Sequence, residues 1–220
     1  PVPFMLGFNR RFDPQIAHLR AAVAAGDIGA LRMLQSTSRE PAPPPIAYVK
    51  SSGGYFVDAQ IHDIDLMCWI AGELPSEVYA QGSCLVEPEI GAAGDVDTAM
   101  TILTFPSGAM AWINNCRACA YGFDQRIEAF GEKGLLQTVN RRDDDLIRWD
   151  AARTEARQPL KHFFLERYDE SFGIALEAFR KALAEGSAPA PTQADGRAAL
   201  AIALACERSR REGRAVAPEY

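Results

Sequence analysis

The sequence predicts an α+β fold: an open, mostly antiparallel or mixed β-sheet with helices on one face. Three observations point to it. Apolar residues recur at helical spacing near both ends, with Ile16, Leu19 and Val23 early and Ala199, Ile202, Ala203 and Cys206 late. Between them DTAMTILTF and AMAWINNCRA flank Pro106-Ser107-Gly108, a hairpin pattern, and QRIEAFG and LLQTVN flank Glu132-Lys133-Gly134 in the same way. Helices at the two ends of a run of hairpin strands fit a sheet backed by helices.

The elements follow in order. FMLGF (4–8) is a short apolar run that reads as a buried strand. Asp13-Pro14 is a helix start, an N-cap residue followed by proline in the first turn, and Gly26 to Gly29 close that helix. LRMLQSTSRE (31–40) alternates as a strand, and PAPPPIAY (41–48) reads as a loop. A helix is expected over 58–71, approached through Gly53-Gly54 and ended by Gly72. EVYAQGSCLV (77–86) is a strand and GAAGDVD (91–97) a turn-rich connection. Residues 141–161 are charged and irregular. Two helices finish the chain, over 163–184 and 195–212, the second beginning with the capping-box pattern Thr192-x-x-Asp195. No internal repeat interrupts this order.

Composition narrows the function classes. The 220 residues are 48% hydrophobic and 24% charged, as in a soluble globular protein. Net charge is −6 with Lys and Arg scattered, which argues against a nucleic-acid surface. No apolar run approaches the ~20 residues of a membrane helix. The five cysteines are odd in number and lie in apolar segments, so reduced core thiols and a cytoplasmic protein are expected. Cys116-x-x-Cys119 has no second pair or histidine to complete a metal set.

GGYFVDAQIHDID (53–65) carries the chemistry. At ~100° per residue, Asp58, His62, Asp65 and Trp69 fall within about 60° of one another, beside an apolar stripe of Val57, Ile61, Ile64 and Cys68. Asp63 is expected on the opposite side, in solvent. Spacing alone leaves two uses open. Carboxylates near a helix start suit the macrodipole, and an Asp and a His four apart can form a surface pair. Alternatively the imidazole takes a proton near neutral pH with a carboxylate one turn away to stabilise its charged form. A metal site built on Asp58, His62 and Asp65 is a third use, although His18 and His162 bring no matching ligands.

Four stretches together resemble one family. GFNRRFDP (7–14), GG-x-x-x-D-x-x-x-H-D-x-D (53–65), RIEAFGEKG (126–134) and DGRAALAIALACERSRREGRAV (195–216) are similar, in that order, to the glucose–fructose oxidoreductase / inositol 2-dehydrogenase / rhizopine-catabolism family. GFNRRFDP looks most like its inositol 2-dehydrogenase members. The resemblance implies an enzyme in which a Rossmann domain binds NAD or NADP and a second domain supplies the substrate site and the oligomer interface. It implies His62 as the general base for a hydroxyl of a cyclic polyol or sugar, Asp58 as its companion, and Arg10, Arg39 and Tyr121 as substrate-side residues. A homodimer or homotetramer through the sheet face is expected.

Two motifs of that family do not occur here: the dinucleotide fingerprint G-x-G-x-x-G and the E-K-P tripeptide. The expected organisation is therefore residues 1–13 as the last strand of a mostly missing Rossmann domain and 14–220 as the substrate-binding and oligomerisation domain. No NAD or NADP is expected to bind this chain alone. The alternatives are a stand-alone sugar-binding module and a metal-dependent isomerase or hydrolase.

Overall fold

The structure, a computed structural model, describes residues 2–220. Asp13 caps the first helix, α1 (Pro14–Ala25), its carboxylate accepting from the amides of Gln15 and Ile16. After strand β1 (Leu31–Arg39) and a short helix α2 (Ile46–Val49), Gly53 and Gly54 both take positive φ, 93° and 91°, which glycine adopts without steric cost. They lead into a π-helical turn (Phe56–Gln60) that continues as α3 (Ile61–Ala71). Strand β2 (Glu77–Ser83), helix α4 (Pro88–Ala92), the hairpin β3 (Thr98–Thr104) and β4 (Met110–Cys116), and the hairpin β5 (Asp124–Gly131) and β6 (Leu135–Gln137) follow. A two-residue ladder joins β7 (Ile147–Arg148) to β8 (Ala156–Arg157), and α5 (Phe164–Arg167), α6 (Asp169–Glu185) and α7 (Gln193–Glu212) complete the order.

The six main strands form one mixed sheet in the order β2-β3-β4-β1-β5-β6. Only β1 and β4 are parallel; every other neighbour is antiparallel. Side chains alternate between faces along each strand, so Leu34, Val78, Leu103, Ile113 and Ile127 turn to one side and are buried there. Helices α3 and α7 cover that side with Ile64, Met67, Ala199, Ile202, Ala203 and Cys206. The small residues of α7 let it lie close to the sheet, and Ser209 accepts the otherwise unpaired amide of Ala80 at 2.9 Å. Thr192 and Asp195 form both halves of the capping box at the start of α7.

The opposite face is open. Met33, Tyr79, Met100, Ile102, Met110 and Trp112 are 37% to 55% exposed. The register sets Met33 beside Met110, and Ile102 beside both Tyr79 and Trp112. These residues make one apolar patch.

Several expectations change. Residues 4–8 join no ladder among the described residues; Leu6 donates to the Pro191 carbonyl at 2.9 Å and packs against α7 at Gly196. The helix expected from 58 begins before it, because the π-turn already winds residues 56–60. The expected helix 163–184 breaks at Tyr168, whose buried ring lies under the guanidinium groups of Arg10 and Arg167 at 5.7 and 4.8 Å. The segments read as loops at 41–48, 91–97 and 141–161 hold, respectively, part of α2, the end of α4, and the β7–β8 ladder.

Candidate active site

Three strands carry polar residues on the face that the helices cover. Ser36 and Ser38 follow Leu34 on β1, Asn115 follows Ile113 on β4, and Gln125 precedes Ile127 on β5, all at two-residue steps and all buried. Ser36, Asn115 and Gln125 converge on Asp63 in the first turn of α3. Its carboxylate is 0% exposed and accepts from Arg10 Nη1 (2.9 Å), Ser36 Oγ (2.7 Å), Asn115 Nδ2 (2.8 Å) and Gln125 Nε2 (3.2 Å). Arg10 also donates to Gln125 Oε1 at 2.8 Å. The network extends through Gln60, which donates to Asn115 Oδ1 and accepts from the Thr101 hydroxyl, each at 2.7 Å. A carboxylate survives burial when it is paired and hydrogen-bonded in this way.

Asp63 is thus the opposite of a solvent-facing residue. The side of α3 away from its apolar stripe is covered by the 3-10 turn Asn9–Phe12 and by the ends of β1, β4 and β5. Gln60, Asp63, Ser36, Asn115 and Gln125 join the site without being among the residues that the motifs single out. The signal for Ser36, Asn115 and Gln125 is their place in the core-facing register of three adjoining strands.

His62 precedes Asp63 and is the second residue of the regular helix that follows the π-turn. π-Turns of this kind often mark functional positions. The ring is half-buried, Phe8 meets it edge-on at 5.9 Å, and Nδ1 is enclosed with no hydrogen-bond partner. Burial lowers the imidazole pKa to about 4; the Arg10 charge adds to the effect, while Asp63 and Asp58 oppose it. At neutral pH the ring is therefore uncharged and able to accept a proton.

Asp58 lies in the π-turn, one turn before His62. Its carboxylate accepts from Tyr48 Oη at 2.5 Å and from Arg117 Nη2 at 2.6 Å. Arg117 also pairs with Glu40 at 3.1 Å and lies over the Tyr55 ring at 5.0 Å. Asp58 makes no hydrogen bond to His62 here, yet its charge reaches the imidazole. Asp58 lies in the π-turn and His62 in the regular helix, so the wheel angle expected between the two side chains does not apply.

The expected site residues separate into groups. Arg10 joins His62 and Asp63. Arg39 and Tyr121 lie together elsewhere: Arg39 belongs to the outward register of β1, donating to Tyr121 Oη (2.9 Å), Asp124 (3.3 Å) and Asn114 (3.0 Å). Tyr121 and Asp124 border a cleft of about 730 Å³ with Arg126, Arg142, Arg157 and His162. Asp65 is occupied by Arg11, which grips it at 2.9 and 2.5 Å and reaches Asp195 on α7 at 3.0 Å. Asp58, His62 and Asp65 therefore do not gather, and among the described residues no three His, Cys, Asp or Glu side chains form a metal-binding group. All five cysteines are free, and burial pushes the Cys206 thiol up to about 12.

Comparison with known proteins agrees with this architecture. The family model described as the GFO/IDH/MocA C-terminal domain matches residues 16–137. The chain is 46% identical over 210 residues to a myo-inositol 2-dehydrogenase of Thermotoga maritima, covering 96% of this chain and 63% of that one. A myo-inositol dehydrogenase structure from Corynebacterium glutamicum superposes with a TM-score of 0.95 at 41% identity, covering 98% of this chain and 65% of that one. A scyllo-inositol dehydrogenase from Lactobacillus casei, solved with NAD(H) and scyllo-inositol bound, gives a TM-score of 0.87 at 27% identity over 98% of this chain and 65% of that one. The chain spans 63% of the length of the Thermotoga relative. With the family model matching more than half of its residues, and with the mixed sheet backed by helices described above, the chain belongs to the GFO/IDH/MocA family and carries its C-terminal domain.

Proposed function

We propose that this chain is the base-bearing, substrate-binding part of an NAD-dependent dehydrogenase that oxidises a ring CH–OH of a cyclic polyol such as myo-inositol. The observation that carries the proposal is His62, a half-buried imidazole kept uncharged and left without a hydrogen-bond partner at Nδ1, beside a paired cation and two carboxylates. The relatives support the substrate class and the cofactor, being inositol dehydrogenases of which one was solved with NAD(H).

The chain's own residues do not fit the dinucleotide's phosphates. No G-x-G-x-x-G occurs, and α3, the helix at the site, opens from a π-turn rather than from a strand and glycine-rich turn. NAD, held by residues other than these, would supply the hydride acceptor. Within this chain, the substrate hydroxyl gives its proton to His62 at Nε2, because Nδ1 is enclosed. Asp58 faces the imidazolium that forms and stabilises it by charge, while Tyr48 and Arg117 hold that carboxylate in place. Arg10 supplies a fixed cation at the base. Tyr121 is assigned to the cleft beside β5, and Arg39, which donates to its hydroxyl, stands behind it.

The proposal also gives the open sheet face to a second copy of the chain, in a homodimer or homotetramer, since six neighbouring apolar side chains lie exposed there. A substrate panel tests the activity. The intact dehydrogenase, assayed for NADH formation with inositols and aldoses, is expected to turn over at least one inositol. Activity confined to acyclic or apolar alcohols would refute the substrate class.

A further inference from the structure

Asp63 has no part in the proton transfer just described, yet it is the most heavily bonded carboxylate beside the base. Four donors from four different segments meet on it: Arg10 from the 3-10 turn, Ser36 from β1, Asn115 from β4 and Gln125 from β5. Its backbone neighbour is His62. The cation it holds, Arg10, lies two residues after Phe8, whose ring meets the imidazole edge-on. We propose that Asp63 is a positioning residue for the base. Its buried carboxylate pins the first turn of α3 to three strands and seats Arg10, so that His62 is presented in one place with one fixed cation beside it. The proposal rests on His62 being the base.

The geometry leaves little freedom for another role. Asp63 is fully buried and cannot touch substrate, and its partners satisfy both carboxylate oxygens. Arg10 is held between Asp63, Gln125 and the Tyr168 ring, so it cannot follow the substrate. The charged groups that face His62 are Arg10 from the 3-10 turn, Asp58 from the π-turn and Asp63 from α3 itself. Glu40 and Arg117 stand behind Asp58. Arg10 works against protonation of the ring, whereas Asp63 works for it. A positioning pair of opposite charge thus predicts opposite effects when each charge is removed.

The test uses the intact dehydrogenase and the pH dependence of kcat/KM for myo-inositol, whose acid limb reports the base. Asp63→Asn keeps an acceptor for Arg10 but removes the anion, and the limb is expected to move to lower pH by about one pH unit. Arg10→Gln is expected to move it to higher pH by a similar amount, and the double variant returns it close to the starting value. Ser36→Ala, which removes only a neutral donor, should leave the limb in place. If Asp63→Asn does not fold, the contrast between Arg10→Gln and Ser36→Ala carries the same information. Displacement of the limb in one direction by both single charge variants, or by neither, overturns the proposal. A separate outcome identifies failure of the underlying assignment: His62→Asn that keeps its turnover shows that His62 is not the base.

Discussion

Acid should destabilise this chain through His62. In an unfolded chain the imidazole takes its proton near 6.5, whereas in the folded chain burial and Arg10 delay protonation to about 4. Between those values the unfolded state binds more protons, so stability is fully present above 6.5, falls as pH drops through the window, and levels off below 4. The difference of about 2.5 pH units, at about 1.36 kcal/mol each, sets a ceiling of about 3 kcal/mol. Because the ring is only half-buried, solvent screening reduces this, and a loss of about 2 kcal/mol between pH 7 and pH 4.5 is expected. The assay is urea unfolding at both pH values for the wild type and for His62→Asn. Asparagine removes this titration and leaves all others, so the wild type should lose about 2 kcal/mol more than the variant. An imidazole NMR titration reads the same quantity directly, with a midpoint far below 6.5. A midpoint at 6.5 or above, with equal acid sensitivity in both proteins, would refute the account of how the site sets the charge of His62.

Asp65→Ala should cost about 3 kcal/mol in urea unfolding, because it strands the Arg11 guanidinium between α3 and α7; a cost below about 0.5 kcal/mol would show that the pair is not a structural tie. Trp112→Glu, on the open sheet face, should reduce the mass measured by light scattering to that of a monomer while leaving far-UV circular dichroism unchanged. An unchanged oligomer would move the interface elsewhere.

Much of this fold was legible because its signals are local. The two hairpins announce themselves by Pro106-Ser107-Gly108 and Glu132-Lys133-Gly134, and α1 and α7 by the caps Asp13 and Thr192. In the FMLGF run, apolar residues alone do not say whether a segment pairs with strands or lies on a helix, and in this chain Leu6 meets α7. The site was half legible. His62 and Asp58 stand out as chemistry-bearing residues, but their relative direction depends on a π-turn, which has no sequence signature comparable to a cap. Asp63 was misplaced because a helical wheel knows only its own helix. What covers the far side of α3 comes from Arg10, Ser36, Asn115 and Gln125, residues 53, 27, 52 and 62 positions away. Strand parity counted from Leu34, Ile113 and Ile127 puts Ser36, Asn115 and Gln125 inside and points to a buried partner.

The most direct measurement for the central claim is steady-state turnover of myo-inositol by the intact dehydrogenase carrying His62→Asn, compared with the wild type at neutral pH. Loss of a general base of this kind predicts a fall in kcat of about 10²- to 10⁴-fold with KM little changed and the fold intact. A kcat within a few-fold of the wild type would contradict the assignment of the base to this chain.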